Sequence, residues 1–469
     1  MAIKKKDSTS SDSGIIYAPW ERTFARVLTP LEEFIHHQTA GSILLVVATA
    51  VALFLANSNT FSEAYQHILH ASLSLTLNNW GISMSLHHWV NDALMAIFFF
   101  VVGMELKREI LVGELSDIRQ ASLPIIAAIG GMVVPALIYV LINPDGAVTK
   151  GWGVPMATDI AFAVGALVLL GKRVPKSLVA FLIALAIADD LGAVLVIAIF
   201  YTEQIVTNWL IISAILVSLL FMLNFSGVRH ATPYFIIAVI LWYAMMQSGV
   251  HATLAGVLGA FTVPARSKYD PALFIIRIKE QVSNFASHQK AGASLMTNDK
   301  LHTIVETIED SVIGVQAPLQ RLEQLLHIPV AFFIIPIFAL FNAGIAIKLD
   351  SLDETFSHPV MLGVMLGLLG GKFIGITSAC WIALKLNICR LPTGARFSQI
   401  AAVSVLAGIG FTMSIFIAEL AFKGHPDYLL MAKTGVIFAS LIAAIIGFSW
   451  LWLLGKPKQL IPAKSPLNH

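Results

Sequence analysis

The chain has 469 residues, of which 57% are hydrophobic and only 12% are charged, and its mean hydropathy is +0.80. Soluble domains carry about 25% charged residues, so this composition excludes a soluble protein and indicates a polytopic membrane protein. The net charge of +2 is small, and no nucleic-acid partner is expected. Two cysteines are too few for a disulfide framework.

Hydrophobic runs long enough to cross a bilayer predict an all-α protein with about twelve transmembrane helices. The polar, basic segment 1–40 is interpreted as a cytoplasmic tail, because no apolar signal-peptide core follows it closely. Spans 1–8 are predicted within 41–265 and spans 9–12 within 328–455. A cytoplasmic insertion loop is predicted at 266–327 between them, and a second cytoplasmic tail at 456–469. The predicted spans lie at 41–57, 89–106, 122–142, 154–171, 177–201, 207–224, 231–248, 251–265, 328–347, 358–386, 399–421 and 429–455.

The distribution of basic residues predicts the orientation. Of the 30 lysines and arginines, 25 lie on the side that holds both predicted termini, four lie on the other side and one lies within a span. Long loops obey the positive-inside rule weakly, but removing the seven basic residues of 266–321 still leaves 18 against four. Both termini are therefore expected in the cytoplasm.

Two connections differ from short polar loops. Residues 72–87 read SLSLTLNNWGISMSLH, in which apolar and polar residues alternate on both sides of an Asn-Asn-Trp-Gly turn. This pattern predicts an extracytoplasmic β-hairpin, and the alternative is an irregular amphipathic loop. Because an isolated hairpin is marginal in water, a partner such as a second protomer is expected. The segment 266–321 contains amphipathic stretches but no nucleotide-binding motif, and its function is not evident.

Four charged residues lie near the middle of predicted spans. Asp189 and Asp190 are adjacent within SLVAFLIALAIADDLGAVLVIAIF, Asp159 lies in GWGVPMATDIAFAVGALVLLG, and Lys372 lies in PVMLGVMLGLLGGKFIGITSACWIALKL. A charge at the bilayer centre costs at least ~2.5 kcal/mol on insertion scales, and two adjacent carboxylates also repel each other. These residues therefore face a water-filled path, bind a cation or carry protons.

Charged residues near helix ends need no such explanation, because side chains there reach the interface; Asp92, Glu105 and Glu419 are interpreted in this way. For the four central charges, the simplest structural interpretation is an ion pair that joins helices. Three acids against one base leave a net negative site, however, and pairing alone does not neutralise it. This excess suits a bound monovalent cation or titrating protons.

Two spans contain helix-breaking residues. Pro155 precedes Thr158 and Asp159 in the fourth span, and the eleventh contains GIGFT at 408–412. Freed backbone groups are tolerated at membrane depth only beside a cavity or within protein, and paired interrupted helices indicate the binding site of a transporter. The spacing of the breaks is that of inverted repeats formed by spans 3–5 and 10–12, with two discontinuous helices that cross at the midplane.

Around these residues the chain resembles the NhaA sodium/proton antiporters, a family that is a standard example of inverted-repeat transporters. The resemblance covers nearly all of 30–455 and differs mainly in the insertion 266–321 and the N-terminal tail, which look longer than usual. It rests on WVNDALMAIFFFVVGMELKREI, ASLPIIAAIGGMVVPALIY, ATDIAFAVGALVLLG, LALAIADDLGAVLVIAIFYT, SGVHATLAGV, FALFNAGI, GGKFIGI and AGIGFTMSIFIAELAF.

The resemblance implies a role for each matching position at the centre. Asp189 and Asp190 match the paired aspartates that bind Na⁺ or Li⁺ and carry the exchanged protons. Thr158 and Asp159 match the broken-helix pair beside the site, where Asp159 would offset the positive helix ends. Lys372 matches the lysine that pairs with the first aspartate and offsets the negative ends.

The resemblance also implies regulation, assembly and location. The hairpin at 72–87 matches the family's dimer contact, so a homodimer in the bacterial inner membrane, surrounded by lipid, is expected. No cofactor is expected, because Na⁺, Li⁺ and H⁺ are transported substrates. Residues that match the family's pH response are Glu105, Arg108, Glu109 and Glu323 at the cytoplasmic mouth and His251 near the outer end of the eighth span.

A mechanism follows from the chemistry of these groups. Asp189, Asp190, Thr158 and freed carbonyl oxygens suit a monovalent cation, because carboxylates and carbonyls are ligands for hard ions. Neighbouring carboxylates away from water retain protons readily and titrate as a coupled pair, so sodium and protons compete for the same oxygens. The resemblance implies that two protons enter for each sodium ion extruded, which is electrogenic, with an activity that depends on pH.

Three alternatives fit less well. An intramembrane aspartyl protease also uses two membrane-depth aspartates, but on separate helices with one in Gly-x-Gly-Asp, whereas here the acids are adjacent and the glycine pair reads GIGF. A pH sensor without turnover would show no sodium-dependent proton flux. A symporter for an organic anion would bring that anion against Asp189 and Asp190, which would repel it. A transporter rather than an enzyme is therefore expected.

Overall fold

The structure is a computed structural model, and it describes residues 40–77, 80–113, 115–202, 205–288, 298–346 and 352–455. Nearly all of the two predicted tails, and the two asparagines of the predicted hairpin turn, lie outside the described residues.

The described part of the chain is almost entirely helical, as the composition predicts, because a helix satisfies its backbone hydrogen bonds within one segment. The first half contains α1 (Ala40–Asn57), α2 (Ser62–His70), α3 (Leu86–Val112), α4 (Ile118–Ile142), a 3₁₀ segment (Gly146–Met156), α5 (Ile160–Leu169), α6 (Lys176–Phe200), α7 (Thr207–Phe225), α8 (Ala231–Ser248) and α9 (Leu254–Thr262). The second half contains α10 (Pro271–His288), α11 (Asp299–Val315), α12 (Pro318–Asn342), α13 (Leu352–Ser357), α14 (Pro359–Lys385), α15 (Phe397–Leu406), α16 (Phe411–Ala421) and α17 (Pro426–Leu454).

Eleven of the twelve predicted spans have a counterpart in the described residues. Ten helices are long and apolar enough to cross a membrane, and α15 with α16 forms one further candidate that is bent by 49°. Such a bent pair is either a broken span or a re-entrant loop. The predicted span at 251–265 has no counterpart among these candidates, because α9 has only 9 residues, whereas about 20 are typical of a helix that crosses the hydrocarbon core.

The helices around the predicted site are interrupted in two ways. Helical geometry is lost at 157–159, the first break, and at 407–410, the second break. In addition, α14 contains a π-helical turn at Gly367–Gly371, immediately before Lys372. Such π-turns concentrate at functional sites, because they re-aim the side chains that follow them.

The predicted β-hairpin is confirmed. Strands β1 (Ser72–Leu77) and β2 (Trp80–Ser85) pair antiparallel, with Ser72 opposite Ser85. The indole nitrogen of Trp89 donates to the carbonyl oxygen of Leu73 at 3.0 Å. This bond ties the hairpin to the start of α3.

Close packing of two glycine-bearing helices fixes the position of Lys372. A Cβ on Gly375 of α14 would lie 2.2 Å from the carbonyl oxygen of Gly130 of α4, and one on Gly371 would lie 2.7 Å from Pro135 Cα. Gly371 and Gly375 are one turn apart, which is the small-residue spacing that lets membrane helices approach closely. Lys372 is therefore held at the interface between α14 and α4.

The long helices pack as two sets. The first set includes α4, α6, α14, α15, α16 and α17, which pack on one another and on the 3₁₀ segment. The second set pairs α3 with α9, α7 with α8, and α1 with α12. Both breaks belong to the first set, so the candidate site lies within it.

Candidate functional site

The two breaks lie directly against each other. The backbone amide of Asp159 donates to the carbonyl oxygen of Ile409 at 2.7 Å. The hydroxyl oxygen of Thr158 lies 2.9 Å from the carbonyl oxygen of Ala407. Each break therefore satisfies backbone groups that the other leaves without a helical partner, as a buried interruption requires.

The carboxylate of Asp159 caps two helices at once. Its Oδ1 accepts from the amide of Phe162 in the first turn of α5 at 3.1 Å. Its Oδ2 accepts from the amide of Thr412 in the first turn of α16 at 3.0 Å and from the Thr412 hydroxyl. Helix N-termini carry unsatisfied amides and partial positive charge, so one buried anion stabilises both helix starts.

Among the three aspartates of the described site, Asp189 is the only one with a charged side chain within hydrogen-bond distance. The Lys372 ammonium donates to Asp189 Oδ2, and both side chains are fully buried. Thr158 Oγ1 lies 2.8 Å from the same oxygen. Because a hydroxyl has one hydrogen, Thr158 donates either to Asp189 or to the Ala407 carbonyl. The direction of this hydrogen bond therefore responds to the charge on Asp189.

Asp190 is buried without a hydrogen-bond partner. Its side chain is 1% exposed, and among the described residues neither of its carboxylate oxygens is hydrogen-bonded, nor is Oδ1 of Asp189. A buried carboxylate in this state is unfavourable unless it holds a proton or binds a cation. Asp159, Lys372 and Glu105 also lie within electrostatic range of Asp190. The predicted central residues therefore form one site that offers three carboxylate oxygens.

The residues predicted for the cytoplasmic mouth form a second cluster, between α3 and α12. Arg108 donates to Glu323 Oε1, and its other terminal nitrogen lies 3.4 Å from Glu109 Oε1. His327 Nδ1 lies 4.0 Å from Glu105 Oε1. Glu105 is within electrostatic range of Arg108, Glu109 and Glu323 and also of Asp190.

His251 has other surroundings than this second cluster. Its Nδ1 is 2.7 Å from the hydroxyl of Thr253, and its Nε2 is 3.9 Å from Asp92 Oδ1. Its ring packs edge-on against Phe416 of α16, with centroids 5.5 Å apart. The structure therefore brings together four of the five residues that the resemblance associates with pH response, and it leaves His251 in separate surroundings.

Glu419 has charged partners that the sequence did not predict. Its Oε1 accepts from Lys433 Nζ at 2.5 Å and lies 3.4 Å from His87 Nε2. These contacts join α16 to α17 and to the start of α3.

Two further polar contacts were not anticipated. Asn91 and Asn342 exchange side-chain hydrogen bonds of 2.7 and 3.3 Å and join α3 to α12. Lys107 donates to the carbonyl oxygens of Phe261 and Val263 at 2.7 and 2.5 Å, and so caps the C-terminal end of α9. A cation at that position compensates the negative end of the helix.

Comparisons with known proteins agree on one family. The family described as Na+/H+ antiporter 1 matches residues 32–451, a range that contains every candidate site residue. The Na(+)/H(+) antiporter NhaA 1 of Saccharophagus degradans is 51% identical over 442 residues, which cover 94% of this chain and 95% of the relative. The Na(+)/H(+) antiporter NhaA of Sulfurimonas denitrificans is 48% identical over 443 residues, covering 94% and 99%. That of Acidithiobacillus ferrooxidans is 48% identical over 440 residues, covering 93% and 100%.

Proposed function

The chain belongs to the NhaA family of sodium/proton antiporters, and from this premise we propose that it exchanges sodium for protons across a membrane at Asp189 and Asp190. The observation that carries the proposal is the carboxylate of Asp190, which is fully buried with both oxygens unpartnered in the described part of the chain. A group in this state is stable only when a proton or a cation neutralises it.

Sodium and protons compete for one set of oxygens in this mechanism. Asp190, the free Oδ1 of Asp189, the Thr158 hydroxyl and the Ala407 carbonyl are the proposed sodium ligands, because all are hard oxygen donors. Two adjacent buried carboxylates titrate as a coupled pair. Binding of sodium therefore expels protons from the pair, and binding of protons expels sodium.

Alternating exposure of this site turns competition into exchange. We propose that α15–α16 and the 3₁₀ segment with α5 are discontinuous helices of two inverted repeats that cross at the midplane. Asp159 keeps their N-termini together by capping both. Repeat movement around a fixed site then exposes the carboxylates to one side at a time.

The stoichiometry that the family implies is two protons taken up per sodium ion extruded, which makes the exchange electrogenic. Asp190 carries one proton. The second is carried by Asp189 or is released by Lys372 when sodium draws Asp189 away from the ammonium. Lithium shares the site, because it is also a small hard cation.

Regulation and setting complete the proposal. The cluster of Glu105, Arg108, Glu109 and Glu323 adjusts activity to cytoplasmic pH, with His251 acting separately. The protein works in the bacterial inner membrane with both termini in the cytoplasm, as a homodimer that contacts its partner through the β-hairpin at 72–87. Its physiological role is sodium and pH homeostasis.

Exchange in proteoliposomes tests the central claim. We expect Na⁺ and Li⁺, but not K⁺, to dissipate an imposed pH gradient without any organic solute. Asp190→Asn should abolish this response while the protein still reconstitutes, and the exposed acid Asp145, changed to Asn, is the control. Retained exchange in Asp190→Asn would refute the proposed site. A requirement for an organic solute would favour symport, and no flux in the wild type would favour a sensor.

A further inference from the structure

The cytoplasmic segment between α9 and α12 has no part in the exchange mechanism, yet it presents an apolar end flanked by cations. It folds into α10 and α11, which pack against each other. We propose that the start of α10 binds the cytoplasmic leaflet of the membrane. The apolar side chains of Leu273, Ile275 and Ile276 enter the acyl boundary, and Arg277 and Lys279 bind the phosphates of anionic lipids; these five residues are called the α10 tip.

Hydrogen bonds at the base of the helix pair hold the tip beside the membrane domain. The amides of Lys268 and Tyr269 donate to the carbonyl oxygen of Gly314, near the end of α11, at 2.8 and 3.2 Å. The amide of Leu319, in the first turn of α12, donates to the carbonyl oxygen of Pro264 at 3.1 Å. Because α12 is a candidate membrane span, the start of α10 is tethered near the level at which that span leaves the bilayer.

The apolar residues of the α10 tip are exposed on the side of the helix that α11 does not cover. Phe274 and Phe285 recur at helical spacing and are partly shielded, which marks the side that packs on α11. Leu273, Ile275 and Ile276 are 62%, 54% and 64% exposed. At about 100° per residue these three lie on one arc of roughly 160°, which also carries Lys279 and Glu280. Exposed apolar side chains interspersed with long basic ones are typical of a helix that lies in the membrane interface, where the basic side chains extend to the headgroups.

Exposed apolar side chains also occur on the helices to which this segment is anchored. In α11 they include Val312 and Ile313, in the last turn beside Gly314. In α12 they include Leu325 and Ile328, which belong to a candidate membrane span. The α10 tip is therefore one of several exposed apolar surfaces in this part of the chain.

Charge complementarity identifies the partner as an anionic lipid surface. Arg277 lies 4.9 Å and Lys268 5.2 Å from the ring centre of Tyr269, an arrangement of aromatic ring and cations that suits the headgroup layer. The carboxylate of Asp270 caps α10 by accepting from the amide of Ala272 at 2.8 Å. Within α10 the charged residues are Arg277, Lys279 and Glu280, a net charge of +1. α11 carries a net charge of −3, from Asp299, Lys300, Glu306, Glu309 and Asp310. The less acidic helix of the pair is therefore the one proposed to contact anionic lipid.

Depth-dependent quenching on the full-length protein tests the proposal. A fluorophore is attached at Ile276→Cys in a Cys380→Ser/Cys389→Ser background that retains reconstitution, with Val305→Cys as control because Val305 is an exposed aliphatic residue in the middle of α11. In nanodiscs of phosphatidylcholine with phosphatidylglycerol, lipid-borne bromine should quench the label at 276 at least twofold more than the label at 305. Aqueous iodide should show the reverse order.

Equal quenching by bromolipid at both positions, or full iodide access at 276, would overturn the proposal. Protection of 276 that appears without lipid and rises with protein concentration would assign the surface to a second copy instead. In the same background, Arg277→Gln/Lys279→Gln should remove the dependence of bromolipid quenching on phosphatidylglycerol; an unchanged dependence would refute the role of the cations. These readouts measure lipid contact and do not depend on whether Asp190 exchanges sodium.

Discussion

Asp189 and Asp190 are neighbours in one helical turn, yet within the described residues only the carboxylate of Asp189 makes side-chain hydrogen bonds. Lys372 and Thr158 both contact Asp189 Oδ2, whereas Asp190 has no hydrogen-bond partner in the described part of the chain. Asp190 can therefore change between a protonated, a charged and a cation-bound form without breaking a protein hydrogen bond. A change at Asp189 must also change the bonding of Lys372 and Thr158, so movement of ions is coupled to the helices through Asp189.

The buried pair predicts a non-additive effect on stability. Lys372→Met leaves Asp189 charged without a cation, and removing one partner of a buried pair typically costs about 3–5 kcal/mol. The double variant Lys372→Met/Asp189→Asn leaves no unpaired charge, so its free energy of unfolding should recover most of that loss. Thermal unfolding of the purified protein in detergent measures the comparison.

Asp190→Asn is the control for these Lys372 and Asp189 variants, because it removes a neighbouring carboxylate that has no hydrogen-bond partner among the described residues. It should unfold at the wild-type temperature or above. If the effects of Lys372→Met and Asp189→Asn simply add, the two residues are not coupled and the pair is not the source of stability.

The central residues could be predicted from the sequence because each is a charged or helix-breaking residue within an apolar segment. A carboxylate or ammonium within an apolar run is conspicuous, and Pro155 and the glycines at 408 and 410 mark the breaks that the structure contains. The choice of Asp189 over Asp190 as the partner of Lys372 was implied only by the family resemblance and could not be derived from the residue pattern. Adjacent residues on a helix differ by about 100° in direction, and the direction that matters depends on how closely α14 approaches α4.

Helix ends and distant partners were the parts that sequence patterns could not supply. The apolar run at 251–265 reads as a span, but Gly249 ends α8 in a left-handed conformation and helical geometry resumes only at Leu254. The remaining helix has 9 residues and is completed at its C-terminal end by Lys107. Similarly, nothing local to Glu419 indicates that Lys433 lies opposite, because that contact depends on the packing of α16 against α17.

The glycine contact between α4 and α14 predicts a strong positional effect. Gly375→Ala would place a Cβ 2.2 Å from the carbonyl oxygen of Gly130, so the helices must separate and Lys372 must move. Loss of close packing should lower the free energy of unfolding by about 1–3 kcal/mol and reduce exchange. Gly370→Ala is the control, since no atom lies within 4 Å of its Cβ position and alanine favours helix over glycine. Equal effects of the two variants in thermal unfolding and exchange would contradict this account.

The cluster of Glu105, Arg108, Glu109 and Glu323 predicts a shift in the pH profile of exchange. Arg108 is the cation within hydrogen-bond distance of Glu323 and near Glu109. In Arg108→Gln these carboxylates and Glu105 repel one another without that compensation, so the pH of half-maximal exchange should move upward. The profile is measured in proteoliposomes at several internal pH values, with Arg321→Gln, on the same helix as Glu323, as the control. A profile that shifts equally in both variants would indicate a general effect of surface charge.

The double cap formed by Asp159 predicts a larger effect than an ordinary helix cap. In Asp159→Asn one carboxylate oxygen is replaced by an NH₂ group, which faces the backbone amide of either Phe162 or Thr412 and cannot accept a hydrogen bond from it. The negative charge that lies at the N-termini of α5 and α16 is also lost. Leaving a buried donor unsatisfied costs about 1–3 kcal/mol. Asp117→Asn is the control, because Asp117 caps only α4, at an exposed position, where its loss should cost a few tenths of a kcal/mol.

Measurements of sodium/proton exchange should distinguish the role of Asp159 as a helix cap from its role as a neighbour of the sodium site. Loosening the breaks displaces Thr158 and the Ala407 carbonyl, which hydrogen-bond across them. The apparent KM for sodium should therefore rise severalfold in Asp159→Asn, while Asp117→Asn keeps the wild-type value. An unchanged KM together with lowered thermal stability would limit Asp159 to holding the helices together, because the sodium ligands would then keep their arrangement without its charge.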